Sequence, residues 1–237
     1  MTETSQSPVA IITGGGRGMG AGIARELHAR GYRLGLMSPS GSAIELAAEL
    51  GAIGIKGSAG EAKDLETLVA RTAEAYGRID AVVNHTGHPP KGDLIDITDE
   101  KWALGNDLMV LSVVRMARLV TPYMLKQGKG AWVNITTFAA FEPSLVFPVS
   151  CAYRAAVGAY TKLYADRYAA DNIRMNAVLP GFIDSLDHKP GTESGIPMKR
   201  LGTMNEIAKT TAFLLSDDAG YITGQNIRVD GGITKHV

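Results

Sequence analysis

The stretch Val9-Ala10-Ile11-Ile12-Thr13-Gly14-Gly15-Gly16-Arg17-Gly18-Met19-Gly20 sets the reading of this chain. Val9 to Thr13 is apolar or β-branched throughout, which reads as a strand buried on both faces. The glycines at 14 to 20 then open a helix that ends near Gly31. Glycine there lets the backbone turn tightly and approach a pyrophosphate, which would rest on the free N–H groups of the helix N-terminus. A bare glycine pattern also fits a tight turn with no ligand. Its placement between a strand and a helix favours the dinucleotide.

Outward from this unit, short apolar runs alternate with longer amphipathic stretches. Strands are expected at Arg33 to Met37, Ala52 to Lys56, Ile79 to Asn84, Ala131 to Ile135, Arg174 to Leu179 and Asn226 to Val229. Ser42 with Glu45, Ser58 with Glu61 and Thr203 with Glu206 carry the capping-box spacing for three helices. Thr98 caps a long helix to about Lys126, and a further long helix covers about Cys151 to Ala170. Near-continuous apolar strands imply a parallel sheet between two helical layers, an α/β Rossmann-type doubly wound fold. Residues 1–7 are expected to be a flexible N-terminus and 8–237 a single dinucleotide-binding domain. The segment from Gly181 to Leu201, rich in Gly, Pro, Ser and Lys, is a long connection of the kind that closes over a site.

Composition narrows the class. The 237 residues are 45% apolar and 20% charged with zero formal net charge, so neither nucleic acid nor an anionic membrane is an expected partner. One cysteine, Cys151, excludes an internal disulfide and fits a reducing, cytoplasmic compartment. Residues 1–7 lack the basic flank and apolar core of a signal peptide. No apolar run approaches the roughly 20 residues of a membrane span. His85 and His88 sit in a loop without a metal-ligand pattern, so no metal site is expected.

The loop spacing Gly14, Gly18, Gly20 resembles the short-chain dehydrogenase/reductase family. So do Asn84-His85-Thr86-Gly87 after the fourth strand, Asn134-Ile135-Thr136-Thr137 after the fifth, and Pro180-Gly181 after the sixth. Arg200-Leu201-Gly202, Glu206-Ile207-Ala208, Gly224-Gln225 and Asp230-Gly231-Gly232 complete a resemblance running from Val9 to Ile233. It implies NAD(P)-dependent carbonyl or imine chemistry on a small molecule, and a homo-oligomer, commonly a tetramer, joined through the two long helices. It further implies a cofactor site of Gly14, Gly16, Arg17, Gly18, Met19, Gly20, Ser38, Asn84, Gly87, Arg154, Pro180, Gly181 and Ile183. The segments 138–149 and 182–197 would line the substrate pocket.

The departures fall on the proton relay. Register against Thr161-Lys162, Asn176 and Pro180-Gly181 puts Arg154 where the family has its catalytic Lys and Ser150 where it has its Tyr. Thr137 takes the Ser position and Met109 the Asn position. A phenol, with pKa about 10, can be tuned toward neutrality, whereas an aliphatic hydroxyl is a far weaker acid. Arg154 can bind a ribose or an oxyanion but does not titrate usefully. Tyr153 lies three residues after Ser150 and is a candidate proton donor, as are His85 and His88. Cys151 reads as a small buried apolar residue. Arg at this position also resembles the haloalcohol dehalogenases, which keep the Tyr and lose the glycine loop; this chain does the reverse.

The second strand ends Met37-Ser38-Pro39-Ser40, with no acid to bind the adenosine ribose hydroxyls. Arg17 with Ser38 or Ser40 suits a 2′-phosphate, which favours NADP over NAD. Ser58 replaces an Asp that family members often place near the adenine. Three functions remain open: an atypical oxidoreductase with catalytic Thr137, Ser150, Arg154 and Tyr153; a catalytically silent dinucleotide-binding homologue; and a lyase or dehalogenase using Arg154 as an anion site.

Overall fold

The structure, a computed structural model, describes residues 7–236. The expected flexible N-terminus lies outside the described residues save for Ser7, which is exposed. Seven strands pair in the order β3-β2-β1-β4-β5-β6-β7, every pairing parallel. They are β1 (Val9–Thr13), β2 (Arg33–Ser38), β3 (Ile53–Lys56), β4 (Ala81–Asn84), β5 (Gly130–Ile135), β6 (Ile173–Pro180) and β7 (Asn226–Val229). The helices are α1 (Gly18–Ala29), α2 (Ser42–Leu50), α3 (Ala62–Tyr76), α4 (Asp99–Asn106), α5 (Ser112–Gln127), α6 (Pro148–Tyr168) and α7 (Met204–Leu215). This is the doubly wound Rossmann-type fold that the strand pattern implies.

Alternation along each strand divides the core in two. Ala10, Ile12, Leu34, Leu36, Val83 and Val133 pack with Ile23 and Leu27 of α1, Leu46 of α2 and Ile207 of α7. The intervening Ile11, Met37, Val82, Trp132 and Met175 pack with Leu68 of α3, Met116 and Val120 of α5 and Tyr164 of α6. Both faces are therefore dry, and each large aliphatic side chain contributes about 1.5–3 kcal/mol by burial. A buried polar chain runs across the second layer. Asn84 Nδ2 donates to Asn134 Oδ1 at 2.9 Å, and Asn134 Nδ2 donates to Thr161 Oγ1 at 2.9 Å. It ties β4 to β5 and β5 to α6, seven residues along the face that carries Arg154.

Several boundaries differ from expectation. Ser42 does not cap α2: Gly41, at φ 82°, is the N-cap, and Ser38 Oγ accepts from the Ala43 amide at 2.9 Å instead. Ser58 closes a local turn on Gly60, and α3 begins only at Ala62. Thr203 does form its capping box with Glu206. The helix expected from Thr98 is broken into α4, a π-helical turn at Asp107–Leu111 and α5. Contrary to the hydropathy expectation, the run Asp99–Gln127 is long and apolar enough, by length and composition, to cross a bilayer. Its α5 part, with Met116, Val120 and Met124, buries its apolar face on the sheet instead. Finally, α6 starts at Pro148, three residues early, which draws Ser150 into its first turn.

The strand order reverses between β1 and β4, and an open α/β sheet binds ligands at such a switch point, beyond the carboxyl ends of the strands. Gly14 and His85 follow those two ends.

Candidate functional site

Thr13 Oγ1 donates to the His85 carbonyl at 2.8 Å and accepts from the His85 amide at 3.0 Å, pinning the ends of β1 and β4 together. Gly14 holds φ 61°, and a Cβ placed there would meet the His85 carbonyl oxygen at 2.6 Å. At Gly20 a Cβ would lie 2.1 Å from the Gly14 oxygen, so the loop folds back on itself only with glycine at 20. Arg17 is the N-cap of α1 and makes no side-chain cap, which leaves the first-turn amides of a 12-residue helix without a side-chain partner. Those amides and the helix dipole suit an anion.

A cleft of about 590 Å³ extends from this point. Its lining includes Arg17, Gly18 and Met19 of the glycine loop and α1, Gly87, Pro180 and Gly181 after β4 and β6, and Thr137, Ser150 and Arg154. Of the two segments expected to line a pocket, Phe138 and Phe147 come from the first, and Phe182 and Ser185 to His188 from the second. Lys91 also reaches it, and no spacing in the sequence marked that residue. Gly14, Gly16 and Gly20 shape the loop from behind and do not line the cleft.

Among the lining residues, Arg154 is only 9% exposed. Its Nη1 donates to the Ile135 carbonyl at 2.6 Å and its Nε donates to Ser150 Oγ at 3.2 Å. Among the described residues it hydrogen-bonds no carboxylate. Burial pushes its pKa down to about 10, which leaves it charged at neutral pH. Thr137 Oγ1 accepts from the Ala139 amide at 3.3 Å, which fixes its side chain at the cleft wall. Met109 is buried in the π turn and accepts from Thr86 Oγ1 at 3.7 Å.

Four expected site residues are placed elsewhere. Tyr153 turns away from the cleft: its ring meets Trp102 edge-on at 5.5 Å and closes over Gly105, whose missing side chain makes the room. Asn84 is 5% exposed with its amide engaged by Asn134, so it holds strands together and does not reach the cleft. Ser38 is 5% exposed with its hydroxyl spent on the start of α2. Ile183 is buried beside Gly202, and its carbonyl bonds His188 Nε2 at 2.7 Å.

The two histidines of the cleft differ. Burial, and then the charge of Arg154, hold His85 down to about 4, against a weaker upward pull from the Gly14 carbonyl. His85 is therefore neutral at pH 7, with Nδ1 3.3 Å from the Gly14 oxygen. The His88 pKa is lowered by loss of hydration in the cleft, then by the charges of Lys91 and Arg154.

A family model described as enoyl-(acyl carrier protein) reductase matches residues 14–234. The 3-oxoacyl-(acyl-carrier-protein) reductase FabG of Haemophilus influenzae is 34% identical over 239 residues, covering 96% of this chain and 98% of that one. The chain belongs to the short-chain dehydrogenase/reductase family. Solved structures agree with this. The 3-ketoacyl-(acyl-carrier-protein) reductase of Brucella melitensis, complexed with NADH, superposes with TM-score 0.91 at 25% identity, covering 96% and 98% of the two chains. L-Sorbose reductase of Gluconobacter frateurii, complexed with NADPH and L-sorbose, gives 0.90 at 27% identity over 100% of both. Within the short-chain dehydrogenase/reductase fold, this member presents Ser150, Arg154 and Thr137 to its cleft, and none of the lining residues is a tyrosine.

Proposed function

We propose that this protein is an NAD(P)-dependent oxidoreductase acting on a carbonyl or imine, in which Arg154 with Ser150 takes over the work of the missing Tyr–Lys pair. One observation carries the reading: a single cleft joins the uncapped start of α1 to a buried, acid-free guanidinium. The relatives named with NADH and with NADPH support the cofactor class.

The cradle fits a dinucleotide. Gly14, Gly16, Gly18 and Gly20 leave the backbone bare, and the amides near Arg17 and Met19 would hold the pyrophosphate. Gly87, Pro180 and Gly181 would floor the cofactor, which supplies or accepts a hydride when bound. With Ser38 turned inward, the 2′-phosphate contact falls to exposed Arg17 and Ser40, so NADP is the favoured form.

The chain's own residues act on the substrate oxygen. Arg154 stabilises negative charge developing there, in a buried setting where such charge is worth more than in water. Ser150 accepts from Arg154 Nε, so its own hydrogen is free to point at the substrate. Thr137 offers a second hydroxyl on the same wall. The proton itself comes from solvent through Ser150, because His85 and His88 are both biased toward neutrality. Assembly into a homo-oligomer is part of this reading, and Leu163 stands 67% exposed on α6 as a contact for it.

The rival reading is a silent dinucleotide-binding homologue, and the absence of any phenol from the cleft lining favours it. Rapid mixing of the protein with NADPH and a panel of ketones, oxo acids and imines separates the two. Loss of nicotinamide absorbance with matching product is expected. Tight NADPH binding with no oxidation across the panel supports the silent homologue.

A further inference from the structure

The Asp230-Gly231-Gly232 motif and residues 233–236 after it take no part in the cleft lining, yet their contacts reach both segments that do. Asp230 folds the chain after β7 back on itself. Its Oδ1 accepts from the Gly232 amide at 2.9 Å, and its Oδ2 from the Thr234 amide at 3.1 Å and from the Thr234 hydroxyl. The Gly231 carbonyl accepts from the Met198 amide at 3.2 Å, which ties this turn to the 182–201 connection. Gly231 holds φ 64°, and a Cβ there would meet Ile196 Cγ2 at 2.7 Å. Asp230 also lies against cleft-lining Gly181, where a Cβ would come within 2.7 Å of the Asp230 Cα.

Further along, the Lys235 amide donates to Glu142 Oε1, and His236 Nδ1 lies 3.3 Å from the same oxygen. The His236 and Phe141 rings meet at 5.6 Å. Arg228 of β7 spans the two: its guanidinium sits 5.7 Å over the Phe141 ring, and its Nη1 donates to the His236 carbonyl at 2.7 Å. The Lys235 amide holds the Glu142 carboxyl below its usual range, so the acceptor is charged at neutral pH and its hydrogen bonds are of the stronger kind.

Glu142 belongs to the turn that carries Thr137 and Phe138 into the cleft lining. The amides of Phe141 and Glu142 donate to the Phe138 carbonyl at 3.0 and 3.4 Å, and the Ala140 amide donates to the Thr137 carbonyl at 3.1 Å. With Thr137 Oγ1 taken by the Ala139 amide, residues 137–142 form one hydrogen-bonded unit. Phe141 stays 47% exposed, so burial does little to hold this unit and the directed contacts from 228–236 do more. Phe138 in turn meets Phe182, the start of the long connection, at 5.5 Å.

We propose that Glu142 is a positioning residue: by clasping Lys235 and His236 it lets the segment after β7 set the Thr137–Phe138 turn against the 182–201 connection and fix the opening between them. Glu142 acts only through the turn it belongs to. The inference rests on the oxidoreductase reading for its effect on turnover and not for the mechanical coupling.

Hydrogen exchange read by mass spectrometry on the full chain tests the coupling. Glu142→Ala should raise exchange at least about fivefold in peptides covering 138–147 and 230–236, with little change in β1 and α1. Arg228→Met, exposed on β7 and outside the cleft lining, should loosen the 138–147 peptides too, and should add little in the Glu142→Ala background. Glu142→Gln, which keeps an acceptor oxygen, should retain part of the protection. For a ketone that the wild type reduces, Glu142→Ala should raise KM about fivefold or more, with kcat and NADPH affinity within about twofold. A merely structural role would lower the folded fraction, and so kcat, without moving KM. Unchanged 138–147 exchange in both Glu142→Ala and Arg228→Met overturns the clasp. Loosened exchange with an unchanged KM overturns the positioning role. If Glu142→Ala does not fold, Arg228→Met carries the same two readouts. A wild type that reduces no ketone refutes the oxidoreductase reading, while the exchange comparison still decides the coupling.

Discussion

Arg154 Nε donates to Ser150 Oγ at 3.2 Å across one turn of α6, so the two residues that the sequence register sets against the family's Lys and Tyr form one hydrogen-bonded unit. The hydroxyl is polarised by a cation that burial keeps free of acids. What the unit lacks is a group with a pKa near the working range, since a Ser hydroxyl ionises far above a phenol. Rate in such a site depends on charge stabilisation more than on proton transfer.

Putting the acid back should therefore help. Ser150→Tyr with Arg154→Lys is expected to raise NADPH-dependent reduction of a neutral ketone by about 10²-fold, the usual worth of a positioned general acid. Steady-state kcat/KM against the wild type measures it.

Tyr153→Phe should leave kcat/KM within about twofold of wild type, because its ring lies against Trp102 and Gly105 outside the cleft lining. Ser150→Ala should cost about tenfold or more, read in the same assay, by removing a hydrogen-bond donor aimed at developing charge. Equal losses in both would restore Tyr153 to the relay.

The sequence placed Tyr153 and Ser150 on neighbouring parts of one helix face, and that much is right. What it did not carry is the notch at Gly105 of α4, a packing fact from another element that takes the ring. The strands were legible because burial on both sides leaves nearly unbroken apolar runs, as in Val9–Thr13 and the Ala81-Val82-Val83 of β4. The π turn at Asp107–Leu111 was not legible, since one extra residue per turn leaves the helical composition unchanged. The start of α2 was misread for a related reason: Gly41 at φ 82° swings the chain so that Ser38, four residues before Ser42, does the capping. Asn84 shows the limit on the site itself. Its position at the end of β4 fits a cofactor contact, but the partner that claims its amide, Asn134, lies fifty residues on.

Arg17→Ala should weaken NADPH binding by about tenfold and NADH binding by less than about twofold, if Arg17, exposed at the loop, pairs with the extra phosphate as proposed. Competitive calorimetry with the two cofactors reads the difference. Equal weakening would move Arg17 to the shared pyrophosphate.

His85 carries a pH signature. Its folded pKa, about 4, lies below the 6.5 of a free imidazole, so the unfolded chain binds the proton first as pH falls. Stability attributable to His85 is complete above pH 6.5 and is lost between there and about pH 4, by at most about 1.4 kcal/mol per unit. Urea unfolding at pH 7 and pH 5 should show a smaller loss in His85→Asn than in the wild type. The comparison removes the background contribution of the carboxylates.

The account turns on a working dinucleotide cradle at Gly14 to Gly20. Calorimetric titration of the purified protein with NADPH and with NADH tests it most directly. Micromolar binding, tighter for NADPH and abolished by Gly14→Ala in a sample that remains folded, is the predicted result. A folded wild-type protein that binds neither dinucleotide contradicts the account and leaves the glycine loop as a tight turn beside an anion site.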